Sequence, residues 1–363
     1  MGNNLDNTLS KVFFAGLQEK SSCSERIKAL KKVLEASEVD TKIKKLDKVG
    51  IKVHVGEAKN NTFVAPEIIK VIVSRVKRKG ALPFLMETST LYKGNRSNAI
   101  DHLNQAYSHG FTPKNLGAPF IMADGLTGDI ETSVKIDGEI YKSVSVAKGA
   151  LMADTIILAS HPTGHLKTGM GASIKNLGMG LASRKGKLRQ HSAIKPYIIQ
   201  EVCTLCKKCM SFCPEDAITC KDGHARILSL KCIGCGECLA VCAFNAVNYN
   251  WGIESEELQK RVAEHALGVV LNKREKLFAI NFLFDMTKDC DCWHEAQGKI
   301  IPDIGILASS DPVAIDQATL DLTRETFGKN LSRVSYPELD PEIQLTYSEK
   351  LGLGTRKYKL ISI

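Results

Sequence analysis

The sequence predicts an α/β protein with a mostly parallel sheet, interrupted by a small cysteine-rich α+β insertion. Two observations carry this. Apolar runs of strand length alternate with amphipathic stretches of helix length along most of the 363 residues. Nine of the 12 cysteines then fall between 203 and 242, eight of them at regular intervals. A composition of 44% hydrophobic and 25% charged residues is that of a chain that buries a true core, and its length suggests two or three domains.

The strands are expected at 51–57, 82–88, 119–125, 155–161, 277–285 and 303–311. Runs such as "TIILAS" are continuously apolar, which suits strands covered on both faces of a parallel sheet. Helical patterns fill 65–80, 96–110 and 312–328. Residues 134–147, "VKIDGEIYKSVSVA", read as a hairpin around Asp137-Gly138. Nearly every strand ends on a polar group: Glu57, Glu87, Asp124, His161, Asp285 and Asp311. Ligands of open parallel sheets bind outside the carboxyl ends of the strands, so these side chains are expected to share a rim. Helix capping competes with that reading, most directly at Asp311 before Pro312. For Asp124, within "ADGLTGD", a turn and a functional role both remain open.

The cysteines read as Cys203-x2-Cys206-x2-Cys209-x3-Cys213-Pro214, then Cys232-x2-Cys235-x2-Cys238-x3-Cys242, each ligand recurring 29 residues later. Each half is the run found in bacterial ferredoxins, where three closely spaced thiolates bind three irons of a cubane and the fourth ligand comes from the other half. The expected cofactors are therefore two [4Fe–4S] clusters. One is assigned to Cys203, Cys206, Cys209 and Cys242, the other to Cys232, Cys235, Cys238 and Cys213. Zinc uses paired C-x2-C ligands and has no need of a third cysteine at this interval. The expected units are then 1–198, an α/β portion with a Gly-rich ligand loop; 199–250, a ferredoxin-like domain; and 251–363, a C-terminal α/β portion completing the scaffold.

"HPTGHLKTGMGASIKNLGMGLASRKGK", residues 161–187, is the richest segment without cysteine. His161 and His165 suggest acid/base work. Gly169, Gly171, Lys175, Asn176 and Gly178 suggest a site for an anion or a phosphorylated cofactor such as a flavin, with backbone N–H groups facing it. The segment matches neither the P-loop nor the dinucleotide fingerprint, and a tightly packed turn is the competing reading. In "KDCDCWHE", Cys290 and Cys292 could ligate a third metal, stay free, or form a reversible disulfide. Cys23 and Cys220 stand alone and read as buried or inert.

The net charge of +9 is weak evidence for nucleic acid, which is not an expected partner. The basic runs 74–80 and 183–191 read as solvated faces, with an acidic electron donor or a phosphorylated ligand as the sharper alternative. No apolar run reaches the roughly 18 residues of a membrane helix. "MGNNLDNTLSKVF" lacks a signal peptide's features, and Asp6 breaks a myristoylation pattern. A cytoplasmic location is expected, where clustered thiols stay reduced.

The segments "METSTLYKGNRSNAIDHLNQAYSHGF", "APFIMADGL", "GHLKTGMGASIKNLGMGLASRKGKL", "CDCW" and "DIGILASSDPVAIDQATLDL" resemble the family known as domain of unknown function 362, often fused to a ferredoxin module. That family is distantly similar in fold to the lactate racemases. The resemblance implies two α/β lobes with a site between them, fed by the ferredoxin insertion. Family members read H-x-K-G-H where this chain has His161-Pro162-Thr163-Gly164-His165, so Thr163 replaces a lysine. The leading functional expectation is an iron–sulfur oxidoreductase that receives single electrons from a redox partner protein and passes them to a small anionic ligand. In it His161 or His165 supplies protons, and Asp124 and Glu87 orient the substrate. A carrier or assembly factor without its own chemistry, and a racemase-like isomerase with structural or sensory clusters, are the alternatives.

Overall fold

The computed structural model describes residues 9–192, 195–221, 223–250, 252–271 and 273–363. The signal-peptide and myristoylation expectations fall largely on residues 1–8, outside the described ones.

Eight strands form one sheet. In chain order they are β1 (Ser10–Gly16), β2 (Lys48–Lys52), β3 (Leu82–Glu87), β4 (Phe120–Met122), β5 (Thr155–Ser160), β6 (Leu277–Leu283), β7 (Gly305–Ser309) and β8 (Tyr358–Ser362). Their spatial order is β8-β1-β7-β6-β5-β2-β3-β4. Only β7 runs antiparallel to its neighbours. The expected mostly parallel α/β architecture is thus present, and it is gathered into a single sheet. The central strands β5 and β6 are buried along their whole length, as continuous apolar runs require. One hydrophobic layer covers each face. What the resemblance implies as two lobes is one sheet with two covered faces.

The helices that matter below are α1 (Cys23–Ala36), α2 (Pro66–Arg78), α3 (Ala99–Ser108), α4 (Ser173–Gly178), α5 (Arg184–His191), α6 (Ser255–Val270) and α7 (Pro312–Phe327). α2 opens on Pro66, ends on basic residues, and buries Ile68, Ile69, Ile72, Val73 and Val76, one stripe at helical spacing. Its basic end, the run 74–80, is largely solvated as expected. The run 183–191 is not. It forms α5, in which Arg184, Gly186, Lys187, Leu188 and Gln190 are buried. A polar helix is buried here because its cations find acceptors: Lys187 Nζ donates to Ala182 O at 2.9 Å, and Arg184 donates to the carbonyls of Thr127 and Ser97. The hairpin pairs Glu131–Lys135 with Ser143–Ala147, so Asp137-Gly138 lies inside a longer loop, not a two-residue turn.

Between β5 and β6 lies the cysteine-rich unit. Tyr197–Ile198 pairs with Val247–Asn248, and Ile218–Lys221 pairs with His224–Ile227, both antiparallel. Its first strand, Tyr197–Ile198, therefore lies just before the expected start of the unit at 199. The unit has its own small core, in which Ile198, Ile218, Ala225, Ala246 and Val247 pack with Cys209, Cys238 and Cys242. The main sheet takes strands from both sides of it, so the chain on either side is one scaffold.

Candidate functional site

The eight cysteines fall into two groups of four, each lining its own small cavity. Cys203, Cys206, Cys209 and Cys242 line one; Cys213, Cys232, Cys235 and Cys238 line the other. The cross-over of the fourth residue is thus present in the folded chain. The two halves match in detail. Ala217 N donates to Cys213 Sγ at 3.2 Å, and Ala246 N to Cys242 Sγ at 3.3 Å, again 29 residues apart. Burial pushes the thiols of Cys209, Cys235 and Cys238 up, and the thiols facing them push further. Four sulfurs confined this way resist ionising together unless a cation joins them, which is how metal binding and proton release are coupled. The donor set, the walls and the backbone N–H groups aimed at sulfur fit an iron–sulfur group in each cavity.

Beside this unit, outside the carboxyl ends of β2, β3 and β5, opens a cleft of about 750 Å³. Three contacts tie the two together. Lys93 Nζ donates to Ala243 O at 3.0 Å. Arg184 lies 4.0 Å from Glu237, between Cys235 and Cys238 in sequence. Leu91, which lines the cleft, packs with Leu188, Tyr249 and Leu239.

Of the residues expected at a ligand site, Glu87, His161, His165, Gly171, Lys175 and Asn176 line this cleft. Glu87 holds a buried charge network: His102 Nε2 at 2.7 Å, Lys52 Nζ at 3.5 Å and Arg96 at 4.0 Å. Burial works against its ionisation, but the charges of Lys52 and His102 prevail and hold its carboxyl well below the usual range. Arg96 also binds Glu57 at 2.7 Å and touches His54 at 3.1 Å. Burial and the Arg96 charge push His54 down to about 3.

His161 has both ring nitrogens engaged, Nδ1 with Asp291 Oδ2 at 2.8 Å and Nε2 with Phe284 O at 2.9 Å. Burial opposes its protonation, but the Asp291 carboxylate outweighs burial and its pKa is raised. This ring is an anchored imidazolium. His165 is the opposite case. Its Nδ1 accepts from the backbone N–H of Thr168 at 3.1 Å and of Lys167 at 3.3 Å. That leaves the proton on Nε2, and burial with the Lys175 charge holds its pKa well below the usual value. It presents a neutral N–H donor.

Lys52, Lys175 and Lys187 bring three amines to one cleft, and all are shifted down by burial, Lys175 to about 8 and Lys187 to about 7. The stem of Lys175 lies over Gly171, where an added Cβ would stand 3.0 Å from Lys175 Cδ. Arg96, Lys52, Lys187, His54 and Asp291 were not singled out from sequence. Lys187 belongs to a basic run whose composition suits a solvated face, and Asp291 stands between two cysteines that themselves suit a metal or a disulfide. The clue available was the strand end: Lys52 is the last residue of β2, with His54 just beyond.

Other expected residues lie elsewhere. Asp124 is fully buried, accepts from Ser89 N at 2.8 Å, and is not part of the cleft wall. Gly169 and Gly178 are points of close packing: an added Cβ would meet Ser332 Oγ at 2.2 Å and Val262 O at 2.1 Å. The N-terminus of α4 does not face a cleft anion. Its Ser173 and Ile174 N–H groups bind the carboxylate of Asp316 at 2.9 and 2.8 Å. Asp311 is a helix cap, accepting from Val313 N and Ala314 N. It lies at the opposite end of the strands, beside Ser10 at the start of β1, because β7 is the reversed strand. Asp285 pairs with Arg26 of α1 at 2.5 Å. Cys290 and Cys292 are joined to each other. Cys23 and Cys220 are exposed.

Over 78 residues, 22% of this chain and 89% of the relative, the chain is 33% identical to the pyruvate synthase subunit PorD of Methanothermobacter marburgensis. Over 91 residues, 25% of this chain and 40% of the relative, it is 30% identical to YsaA of Escherichia coli, a protein assigned to electron transport. Among solved structures it is similar to the lactate racemase apoprotein of Thermoanaerobacterium thermosaccharolyticum, with 13% identity, a TM-score of 0.39, and coverage of 75% of this chain and 51% of that one. It is also similar to a Thermotoga maritima protein, with 11% identity, a TM-score of 0.42, and coverage of 89% and 61%. The chain thus spans only about half to three-fifths of those two structures. A family model covers residues 49–321, most of the α/β scaffold and all of the cysteine unit, and the chain belongs to that family, described as Domain of unknown function (DUF362).

Proposed function

We propose that the chain is an iron–sulfur oxidoreductase that takes single electrons from a partner protein and delivers them to a small anionic molecule held in the cleft. Cys203, Cys206, Cys209 and Cys242 would hold one [4Fe–4S] cluster, and Cys213, Cys232, Cys235 and Cys238 the other. Bound there, the clusters supply one-electron transfer. The observation that carries the reading is the pair of four-thiol cavities set against a cleft lined by Lys52, Lys175 and Lys187. The likeness of the cysteine unit to a pyruvate synthase subunit and to an electron-transport protein supports electron transfer and a protein partner.

Within the cleft, Lys175 and Lys187 attract an anion, and with pKa values near neutrality either can gain or lose a proton during turnover. His165 donates a hydrogen bond through Nε2. The anchored His161 keeps a fixed positive charge at the end of β5. A phosphorylated cofactor such as a flavin suits the same cations. No helix among the described residues is long and apolar enough to cross a membrane, and the many unpaired cysteines accord with a cytoplasmic setting. The carrier reading rests on the likeness to PorD, since a subunit of a larger enzyme needs no ligand of its own.

Anaerobic purification with iron, sulfide and small-molecule analysis tests these readings together. About eight irons and eight sulfides per chain, with a copurifying anion whose redox state changes on reduction, are expected. Zinc in place of iron sinks the proposal, and full clusters with an empty cleft leave the carrier.

A further inference from the structure

Cys290 and Cys292 form a disulfide across a Cα–Cα distance of 5.2 Å, and both line the cleft. We propose that this pair is a redox-active disulfide, a two-electron store in the cleft wall that opens to a dithiol and closes again.

Three observations argue for reversibility. First, the bond joins residues two apart in sequence. So short a loop loses little chain entropy when closed, and the bond contributes little as a staple. Second, the segment is held without it. Asp291 O accepts from Glu57 N at 3.0 Å, and the Asp291 carboxylate binds Thr62 at 3.0 Å and His161 at 2.8 Å. Trp293 N donates to Cys290 O at 2.8 Å. Breaking the S–S bond leaves two sulfurs side by side on a fixed backbone. Third, both cysteines are half-buried at a wall shared with Lys52, Lys175 and Lys187. Cations lining the same cleft favour the thiolate, the reactive form in disulfide exchange.

The chemistry balances simply. Two electrons and two protons enter, the S–S bond breaks, and two S–H bonds form. A low-potential one-electron donor protein supplies the electrons in two steps, and water in the open cleft supplies the protons. The reversible chemistry of the pair stands on its own. Only the electron route rests on the iron–sulfur reading.

The intact protein, purified anaerobically, is equilibrated with graded ratios of reduced and oxidised dithiothreitol, alkylated, and mapped by mass spectrometry. Labels on Cys290 and Cys292 should rise together with a single midpoint, while the exposed Cys23 and Cys220 are labelled throughout. Cys290 and Cys292 alkylated at every ratio, or protected even in excess reduced dithiothreitol with the protein folded, would overturn the proposal. Coulometric reduction by dithionite then compares the wild type with a Cys290→Ser, Cys292→Ser double variant of equal iron content. The variant should accept about two electrons fewer per chain. Equal uptake by both proteins rejects the store. A pair that titrates in a chain lacking iron retires the iron–sulfur reading and keeps this one.

Discussion

His161 Nδ1 donates to Asp291 Oδ2 at 2.8 Å, and the same ring donates through Nε2 to Phe284 O at 2.9 Å. One imidazolium thus joins the end of β5 to the chain beyond β6 and to the loop that carries Cys290 and Cys292. Its proton is committed to structure.

The pH dependence of this pair follows from its two shifts. His161 is raised, so its contribution is complete below its unfolded pKa of about 6.5 and lost as pH rises through the higher folded value. Asp291 is lowered, so its contribution is complete above its unfolded pKa of about 3.9 and lost as pH falls through the lower folded value. The pair stabilises most between about pH 4 and 6.5. Asp291→Asn should cost about 3 kcal/mol by stranding a buried partner. Thermal melts across pH should show the wild-type advantage shrinking on the alkaline side.

Crossed ligation makes an unusual pair of double variants informative. If the cavities hold clusters as lined, Cys203→Ser with Cys242→Ser damages one site and leaves about four irons per chain. Cys203→Ser with Cys213→Ser damages both sites. Equal iron in the two anaerobically purified double variants would contradict the crossed arrangement.

With an anion in the cleft, Lys175 should govern its affinity. Burial has pushed its pKa down to about 8, so the cleft should hold an anion well at pH 6.5 and progressively less above pH 8, where the amine is neutral. Lys175→Met should lower retention of a copurifying anion about tenfold, as loss of a charge-assisted bond predicts, while iron content stays constant. Quantitative mass spectrometry of the bound molecule at the two pH values measures this.

Gly178 tests packing apart from ligand binding. An added Cβ would stand 2.1 Å from Val262 O, on α6. Gly178→Ala should cost about 2–3 kcal/mol in urea unfolding through overpacking of α4 against α6. Anion affinity in the folded fraction should not change.

Legibility divides by the range of the forces involved. The cysteine spacing, the apolar strands and the helices at 66–78 and 312–327 were readable from the chain, because ligand spacing and hydrophobic periodicity act over a few residues. The N-cap role of Asp311 is legible for the same reason: carboxylate, proline and helix are adjacent. β1 and β8 were not anticipated, β1 being a sheet member through its pairing with β7 and β8 through its pairing with β1.

Which polar groups share the cleft depended on assembly. Glu87 and His161 meet there because β3 and β5 run the same way, with β2 between them. Asp311, beyond an equally convincing strand, is carried to the opposite end of the sheet's strands by the reversal of β7. The glycines of 169–180 and the basic run of α5 carry the composition of a phosphate loop and a solvated surface. Packing against Ser332, Val262 and buried carbonyls turned several of them into core. Residue type and local spacing specify what a segment can bind or bury. Strand order and direction, chosen by the chain as a whole to cover both faces of one sheet, select which of those capacities face one another.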